Sequence, residues 1–277
     1  MKTDAELSQS ILERKGCPLH YWTGGVESRP LIVFTHGACV DHHSFHLSVP
    51  VVAERYRVMT WDVRGHGLSQ PMGEDFALPL AMEDLLAILD AVGCEKAVFV
   101  GHSNGAYIAQ ELAFRHPERV QALVIADGTC ITWNHGALEM YLLRSSAAIM
   151  ALMPFETLKK AGLKAFSSKQ EVQDYTYRAF SQIPRREFIK IWDGVVKGVH
   201  AEPDYHIAQP LLLMHGDDDR TGDIRRIAPL WAEREPNCTY RVIPNARHFA
   251  ILDNPDFFNL ILMEFLARWV PVDTANN

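Results

Sequence analysis

The chain has 277 residues, of which 48% are hydrophobic, and a formal net charge of −7 at pH 7. This length allows one large α/β domain, or one such domain with an insertion. The negative charge argues against a nucleic-acid partner, and no window reaches the roughly 20 apolar residues of a membrane span. Residues 1–7 lack the apolar core of a signal peptide, and the five cysteines form no C-x-x-C pair. We therefore expect reduced thiols in a cytoplasmic protein.

Short apolar runs recur along the chain with helical patterns between several of them. In one such pattern Leu85, Ile88, Leu89 and Val92 fall at i, i+3, i+4 and i+7. Continuous apolar runs are typical of strands buried on both faces, as in a parallel sheet covered by helices. The alternation predicts a doubly wound, mostly parallel α/β domain. Its strands are predicted at 31–34, 56–61, 97–100, 123–126, 211–214 and 240–243.

The chain is predicted to close with an amphipathic helix that begins after Asn254 and Pro255. Its apolar spacing predicts that five side chains face inward: Phe257, Leu260, Ile261, Phe265 and Trp269.

The alternation of strand and helix patterns is interrupted at residues 131–208, which contain no convincing strand pattern. Phe188, Ile191, Trp192 and Val195 form a helical stripe within them. One alternative is that these helices are crossovers that cover the sheet. The stretch is longer than one crossover needs, which favours an inserted cap of three or four helices. The predicted core is then 1–130 and 209–277, and the predicted cap is 131–208.

The segment 98–106 carries the most specific chemistry. An apolar β-branched run enters a G-x-S-x-G motif at Gly101, Ser103 and Gly105, and a helical pattern leaves it. This strand–turn–helix context is the one that a nucleophilic serine requires. The turn strains the serine backbone, and a Cβ at either glycine would crowd the crossing of strand and helix.

A serine hydroxyl needs a base, and the base needs an acid that orients it. Downstream of Ser103, an acidic turn at 217–219 follows one predicted strand, and His248 follows the last. The order serine, aspartate, histidine is that of the α/β-hydrolase arrangement.

Over nearly its full length the chain resembles the serine-nucleophile α/β-hydrolase superfamily, in its esterase and enol-lactonase-like branch. The resemblance rests on five motifs in the family's order, at 35–38, 62–69, 101–105, 216–219 and 247–249. It implies that Ser103 attacks an acyl carbon, that His248 is the base, and that Asp219 orients the imidazole. It also implies that the backbone N–H groups of Ala38 and Asn104 bind the oxyanion.

Several assignments have rivals. Asp217 or Asp218 could be the acid, although the family's glycine-x-x-aspartate spacing selects Asp219. Asp127 follows a strand, and some relatives place the acid there. His102 is interpreted as a structural neighbour of the elbow rather than as the base.

Other polar residues are given structural roles. His66 is expected to hydrogen-bond within its own loop. The segment 41–46, rich in histidine, invites a metal interpretation, but it lacks an H-E-x-x-H pattern, and we predict no metal site. Arg64 and Arg220 could bind a substrate carboxylate, although salt bridges within loops are favoured.

A serine at the elbow indicates acyl chemistry, because relatives that open epoxides or dehalogenate alkyl halides carry aspartate there. The resemblance thus implies a cofactor-independent hydrolase that acts on a small, mostly apolar ester or lactone, as a monomer or homodimer. Alternatives with the same triad are an acyltransferase or perhydrolase and a C–C bond hydrolase; a ligand-sensing protein with this fold is another. The apolar wall of the acyl pocket is predicted at Met140, Tyr141, Met153 and Trp192, with Met150 and Phe155 as further candidates. The alternative is that some of these residues form the core of the cap and its contact with the sheet.

Overall fold

A computed structural model describes residues 7–272, in which eight strands form one sheet. The strands are β1 (Ser8–Arg14), β2 (Cys17–Gly25), β3 (Leu31–Thr35), β4 (Arg57–Trp61), β5 (Ala97–His102), β6 (Val120–Ala126), β7 (Leu211–Gly216) and β8 (Cys238–Ile243). Their order across the sheet is β1-β2-β4-β3-β5-β6-β7-β8. From β4 to β8 every neighbouring pair is parallel, whereas β2 pairs antiparallel with both β1 and β4. All six predicted strands are present, and the expectation of a mostly parallel sheet is confirmed.

Helices occupy most of the connections between these strands. They are α1 (Val49–Ala53), α2 (Leu78–Ala91), α3 (Asn104–Arg115), α4 (Ala137–Leu152), α5 (Phe155–Phe166), α6 (Gln170–Ser181), α7 (Arg185–Lys197), α8 (Ile224–Arg234), α9 (Ala250–Asp253) and α10 (Pro255–Trp269). Short 3-10 turns lie at His42–Phe45 and Pro117–Arg119. Within residues 7–272, no helix combines the length and the apolar character needed to cross a membrane.

The central strands bury both of their faces. Every residue of β3, β5 and β7 is buried, and successive side chains of β3 enter different apolar clusters. Val33 packs in a cluster with residues of α2, α3 and α8, whereas Phe34 packs in a cluster with residues of α1, α9 and α10. Helices therefore cover both faces of the sheet, as the continuous apolar runs predict.

The hairpin of β1 and β2 has no counterpart among the sequence predictions. Its signal is alternation: Cys17, Leu19 and Tyr21 are buried, and the residues between them are half-buried. The two strands meet at Lys15 and Gly16, which both have positive φ, as a tight hairpin turn requires. A period of two over residues 17–22 could have predicted this strand.

The last helix begins at Pro255, as predicted, but its inward face differs in part. Ile261 and Phe265 are buried, whereas Leu260 is 56% exposed. Phe257 and Trp269 are only half-buried. The buried stripe follows the i, i+3, i+4, i+7, i+8 rule from a different first residue: Phe258, Ile261, Leu262, Phe265 and Leu266.

Four helices, α4 to α7, lie between β6 and β7, and they account for the stretch in which no strand is predicted. The insertion enters and leaves the sheet through two adjacent segments. His200 N–H donates to the carbonyl of Ile131 (2.9 Å), and Glu202 N–H donates to the carbonyl of Thr132 (3.1 Å). These bonds join the two ends of the insertion beside the sheet.

Candidate active site

Ser103 lies between the end of β5 and the start of α3, at the carboxyl edge of the sheet. Its backbone has φ 50° and ψ −114°, outside the regions that a non-glycine residue usually adopts. Ser103 N–H donates to the carbonyl of Ala126 (2.9 Å), and Ala106 N–H donates to the carbonyl of Ser103 (2.9 Å). These bonds hold the strained turn in place, so the strain expected of the motif is present.

The two motif glycines are required by close backbone contacts. A Cβ on Gly101 would lie 2.4 Å from the carbonyl oxygen of Gly105, across the strand–helix crossing. A Cβ on Gly105 would lie 2.0 Å from the carbonyl oxygen of Thr35 in β3. Real Cβ atoms do not approach backbone oxygens this closely, so only glycine allows α3 to pack here.

A chain of hydrogen bonds links Ser103 to a base and an acid from two other loops. The Ser103 hydroxyl donates to Nε2 of His248 (2.9 Å), which lies between β8 and α9. Nδ1–H of His248 donates to Oδ2 of Asp219 (3.0 Å), in the turn after β7. Gly216 makes this approach possible, because a Cβ there would lie 2.2 Å from the carbonyl oxygen of Arg247.

The environment of Asp219 favours its charged form. Burial opposes the charge, but the facing imidazole of His248 and the N–H of Thr221, which donates to Oδ1 (2.8 Å), outweigh it. The pKa of Asp219 is therefore lowered from its ordinary value. An ionised carboxylate here fixes the tautomer of His248 that accepts at Nε2.

The three rival acids are engaged elsewhere. Asp217 accepts from the N–H groups of Asn245 and Ala246 (3.0 Å each), and Asp218 pairs with Arg220 and Arg247. These contacts shape the loop that carries His248.

Asp127 is buried and accepts from the N–H groups of Gly216 (2.9 Å) and Ala250 (3.1 Å). Burial and the nearby charge of Asp219 raise its pKa well above the ordinary value. It thus braces the loops around the base without contacting the imidazole of His248.

His102 supports the backbone of the base, His248. Its Nε2–H donates to the backbone carbonyl of His248 (2.7 Å), and its Nδ1 is buried without a partner within residues 7–272. Burial lowers the pKa of His102 to about 3, so the ring is neutral. This is the structural position predicted for it beside the elbow.

The turn after β3 lies against the nucleophile. A Cβ on Gly37 would lie 3.2 Å from Cβ of Ser103. Nδ1–H of His36 donates to the carbonyl of Gly37 (2.7 Å), and Nε2 accepts from Val63 N–H (2.9 Å). These two bonds fix the turn that carries Ala38 beside the elbow.

Asn104 is the first residue of α3, where a helix leaves backbone N–H groups without an internal acceptor. Its N–H therefore has no acceptor inside the helix, and the helix dipole favours negative charge nearby. Its role as an oxyanion donor stays a prediction. The side chain is 2% exposed, and neither Oδ1 nor Nδ2 has a partner in the described part of the chain. A buried amide in this state is an unused set of donors and an acceptor directly beside the nucleophile.

The four residues of the predicted acyl wall differ in exposure and in their contacts. Tyr141 is 68% exposed on the outer side of α4, so it does not form part of a closed wall. Trp192 donates from Nε1 to Oγ of Ser146 (2.7 Å), which ties α7 to α4. Met140 and Met153 are half-buried, and their contact with substrate stays a prediction.

The further wall candidates belong to packing within the insertion. Met150 is partly buried against the larger apolar cluster. Phe155 packs against Phe180 (ring centroids 5.3 Å apart) and Phe188 (5.9 Å).

Phe166 is the residue of the insertion that sequence reasoning missed. Its ring lies 5.4 Å from that of His248, and its carbonyl accepts from Phe249 N–H (2.8 Å). Phe166 is the last residue of α5, and no local sequence pattern indicates that it approaches His248.

Asp41, His42 and His43 place ligand atoms within 4.8 Å of one another. Each already has a protein partner: Asp41 accepts from Tyr175 Oη (2.8 Å), His42 pairs with Asp62 (2.8 Å), and His43 pairs with Asp41 (3.3 Å). These contacts tie the turn after β3 to α6 and to the loop after β4, and they support a structural interpretation.

The remaining polar candidates are also occupied by neighbours. Arg64 is fully buried and pairs with Asp84. Arg220 pairs with Asp218. His66 donates from Nδ1 to the carbonyl of Arg64 (3.1 Å), within its own loop as expected. Both arginines thus make salt bridges, but only Arg220 does so within its own loop, since Asp84 lies in α2.

A groove of about 580 Å³ lies between α2, α3 and α7, remote from Ser103. Its lining mixes acidic and basic side chains, including Glu111, Arg115 and Lys190, and contains none of the hydrogen-bonded trio. It is therefore not the place where Ser103 could meet an acyl group.

The model of the alpha/beta hydrolase family matches residues 32–259, which include Ser103, Asp219 and His248. The chain is 26% identical to 3-oxoadipate enol-lactonase 1 of Acinetobacter baylyi over 257 residues, 92% of this chain and 96% of that one. It is 22% identical to epoxide hydrolase 3 of Xenopus tropicalis over 286 residues, 93% of this chain and 77% of that one.

Solved structures show the same fold. A thermophilic esterase from Thermogutta terrifontis has a TM-score of 0.80 at 18% identity, covering 96% of this chain and 100% of that one. The enol-lactonase from Burkholderia xenovorans has a TM-score of 0.77 at 19% identity, covering 93% and 100%. The resemblance drawn from the five motifs is thereby confirmed at the level of the family, and the chain belongs to the alpha/beta hydrolase family.

Proposed function

We propose that this protein is a serine hydrolase that cleaves a small, mostly apolar carboxylic ester or lactone through an acyl-enzyme. The observation that carries the proposal is the continuous hydrogen-bonded chain from Ser103 through His248 to Asp219, with distances of 2.9 and 3.0 Å. Three loops from three strands converge to make it, and a chance contact would not also orient both nitrogens of the imidazole.

In the first half of the reaction, His248 Nε2 takes the hydroxyl proton as Ser103 Oγ bonds to the substrate carbonyl carbon. The carbonyl oxygen becomes an oxyanion, which the N–H groups of Ala38 and Asn104 stabilise. When the C–O bond to the alcohol breaks, His248 returns the proton to the leaving oxygen. In a lactone the released alcohol stays attached to the acyl group.

In the second half, His248 takes a proton from water, and the resulting hydroxide attacks the acyl carbon. The bond to Ser103 Oγ breaks, and the proton on His248 passes to Oγ. The sum is ester plus water to carboxylic acid plus alcohol, with the enzyme regenerated. Asp219 stabilises the imidazolium in both halves without itself taking the proton.

The choice of bond rests on the nucleophile. An epoxide opened by this fold calls for a carboxylate that forms an ester intermediate, whereas the residue at the elbow is a serine. We further propose that residues 131–208 act as a cap over a core of 1–130 and 209–277. Phe166, 5.4 Å from the His248 ring, supports the idea that this cap helps to exclude water from the base.

The test is fluorophosphonate labelling with peptide mapping, together with turnover of p-nitrophenyl esters of graded acyl length, simple lactones and styrene oxide. We expect label on Ser103, turnover of esters or lactones, and none of the epoxide. Ser103→Ala should lose label and turnover while keeping the wild-type circular dichroism spectrum.

Three results would count against the proposal. Labelling elsewhere, or turnover that survives in Ser103→Ala, would refute the nucleophile. A folded protein that neither labels nor turns over any acyl substrate would favour a ligand-sensing role. Loss of activity with a chelator would revive the histidine cluster as a metal centre.

A further inference from the structure

Helix α4 exposes most of its apolar side chains to solvent. Ala147 is its one buried residue. Five large apolar residues of this helix are more than half exposed: Leu138 (72%), Tyr141 (68%), Leu142 (57%), Ile149 (55%) and Leu152 (86%). Five side chains of this size expose several hundred Å² together, which matches the roughly 300–600 Å² of the largest apolar patch on a typical monomer.

The exposed residues form one stripe on one face. At 3.6 residues per turn, all five lie within about 60° of Ser145 around the helix axis, and so does the exposed Ala148. The opposite face, with Met140, Leu143, Ala147 and Met150, turns toward the rest of the molecule and is half-buried or buried. We refer to the outward set 138, 141, 142, 145, 148, 149 and 152 as the α4 stripe.

The α4 stripe is symmetric about Ser145. Leu138 and Leu152 lie seven residues on either side of it, Tyr141 and Ile149 four, and Leu142 and Ala148 three. This spacing is common to any one-faced helical stripe, so the residue types carry the argument: leucine stands at both ends, and the larger Leu142 mirrors the smaller Ala148. When the chain direction is reversed about Ser145, large side chains again fall at the ends, and Tyr141 and Leu142 fall opposite Ile149 and Ala148.

From the exposed apolar area and this residue pairing we infer that the α4 stripe is the contact surface of a homodimer, in which α4 packs antiparallel on α4 of a second copy with Ser145 on the two-fold axis. A two-fold interface must be complementary to itself, and in this arrangement each large apolar side chain of the stripe meets an apolar side chain of the second copy. Leu138 would pack on Leu152 of the partner subunit, and Tyr141 on the partner's Ile149. The small Ser145 lets the helices approach at the crossing point.

A lipid surface is less well matched. Helices that lie on membranes carry lysine and arginine along their polar face. In α4 the charged residues are Glu139 and Arg144, and Glu139 is already paired with Arg226 (2.7 Å). The chain as a whole carries a net charge of −7, which would be repelled by an anionic bilayer.

The contact is small, so the dimer should dissociate on dilution. Burying the stripe from both copies gives an area near the lower limit for specific interfaces, about 1,200 Å² in total. We expect a monomer–dimer equilibrium in the micromolar range by sedimentation velocity and light scattering.

Charge variants test the antiparallel register. Leu138→Lys and Leu152→Glu should each weaken dimerisation at least tenfold, because each places a charge against leucine. The double variant should recover much of the loss, because each lysine then faces a glutamate of the partner. Within one chain the two positions are about 21 Å apart, so recovery cannot arise inside a monomer.

Cross-linking tests the axis. Under mild oxidation Ser145→Cys should form a covalent dimer, since a residue on the axis meets its own copy within disulfide reach. Leu152→Cys is the matched control on the same stripe, because its two copies would lie about 21 Å apart. Wild type reports any background from its own five free cysteines.

The inference is overturned if wild type is still monomeric at about 100 μM protein, well above the expected micromolar equilibrium. It is also overturned if the Leu138→Lys variant dimerises as well as wild type. It is also overturned if Leu152→Cys links as readily as Ser145→Cys. A monomer that partitions onto vesicles of phosphatidylcholine and phosphatidylserine through this helix would assign the stripe to a lipid surface instead.

Discussion

Ser103 has a strained backbone conformation and a hydroxyl that points at Nε2 of His248. A conformation of this kind costs on the order of 1–3 kcal/mol and persists only where neighbouring contacts enforce it. Here the N–H of Ser103 is held by Ala126 in the next strand, and its carbonyl is held by Ala106 in the helix (2.9 Å each). The hydroxyl is thus directed at His248 before any substrate binds, which is how a fixed site lowers the cost of reaching the transition state.

Asp219→Asn should lower kcat by roughly 10⁴ with little change in folding, because the amide cannot select and stabilise the same imidazole tautomer. The measurement is steady-state hydrolysis of the best p-nitrophenyl ester found in the substrate panel. Asp218→Asn is the matched control, since Asp218 is adjacent in sequence but pairs with Arg220 and Arg247. A marginal loss in Asp219→Asn, together with a severe loss in Asp127→Asn, would transfer the acid role to Asp127.

Buried neutral histidines make the stability of the fold depend on pH. Burial lowers the pKa of His102 from 6.5 to about 3, and burial and the nearby His36 lower that of His66 to about 3. Between these values the unfolded chain binds protons that the folded chain does not. The contribution of these two histidines to the free energy of unfolding therefore falls as the pH is lowered from 6.5 toward 3.

His102→Gln should flatten this dependence. The glutamine amide can still donate toward the carbonyl of His248, but it takes up no proton on unfolding. The slope of unfolding free energy against pH, from urea titrations at roughly pH 4 to 6, should decrease by about 1.4 kcal/mol per pH unit. Above pH 7 the two slopes should coincide, which serves as the internal control. Equal slopes in acid would mean that His102 is protonated in the folded protein.

At the scale of elements, the site depends on how closely α3 crosses the sheet. Gly105→Ala should destabilise the fold by roughly 1–3 kcal/mol and abolish fluorophosphonate labelling, because the new Cβ would force α3 away from Thr35. Gly136→Ala is the control: it has φ −63° and no atom within 4 Å of an added Cβ. Urea unfolding and labelling are read side by side, and equal behaviour of the two variants would contradict the packing argument.

The sequence could predict the elements whose patterns are local. Short continuous apolar runs indicate the parallel strands, and G-x-S-x-G indicates the crossing at Ser103, because each signal is contained in neighbouring residues. The loops of Asp219 and His248 could be singled out because their motifs resemble those of a known family and follow Ser103 in its order.

What escaped prediction depends on contacts between distant segments. Phe166 reaches His248 from the end of α5, and no spacing rule relates residues 82 positions apart. The outward side of α4 could not be told from its inward side, because apolar residues lie on both. Tyr141 was therefore placed on the pocket wall, although it is 68% exposed.

At the scale of the molecule, a buried ion cluster joins three parts of the fold. Asp84 of α2 is fully buried and accepts from Arg64 in the loop after β4 (2.7 Å from Nη2) and from Arg14 in the hairpin strand β1. Arg64 also donates to the carbonyl of Met72 (3.0 Å). The cluster thus fastens the antiparallel hairpin to the parallel part of the sheet that carries the site.

Asp84→Ala should therefore destabilise the protein by about 3–5 kcal/mol, because it leaves the fully buried guanidinium of Arg64 without its counter-charge. Glu83→Ala is the matched control on the same helix: Glu83 also pairs with Arg14 (2.9 Å), but its side chain is 47% exposed. Exposed pairs contribute about 0–1 kcal/mol, so this variant should remain close to wild type. Urea denaturation followed by tryptophan fluorescence compares the two variants, since Trp22 and Trp61 lie in the neighbouring strands β2 and β4, where the hairpin joins the rest of the sheet. If both variants unfold at the same urea concentration, the hairpin is held by its strand pairing alone, and the buried charges add nothing to the attachment.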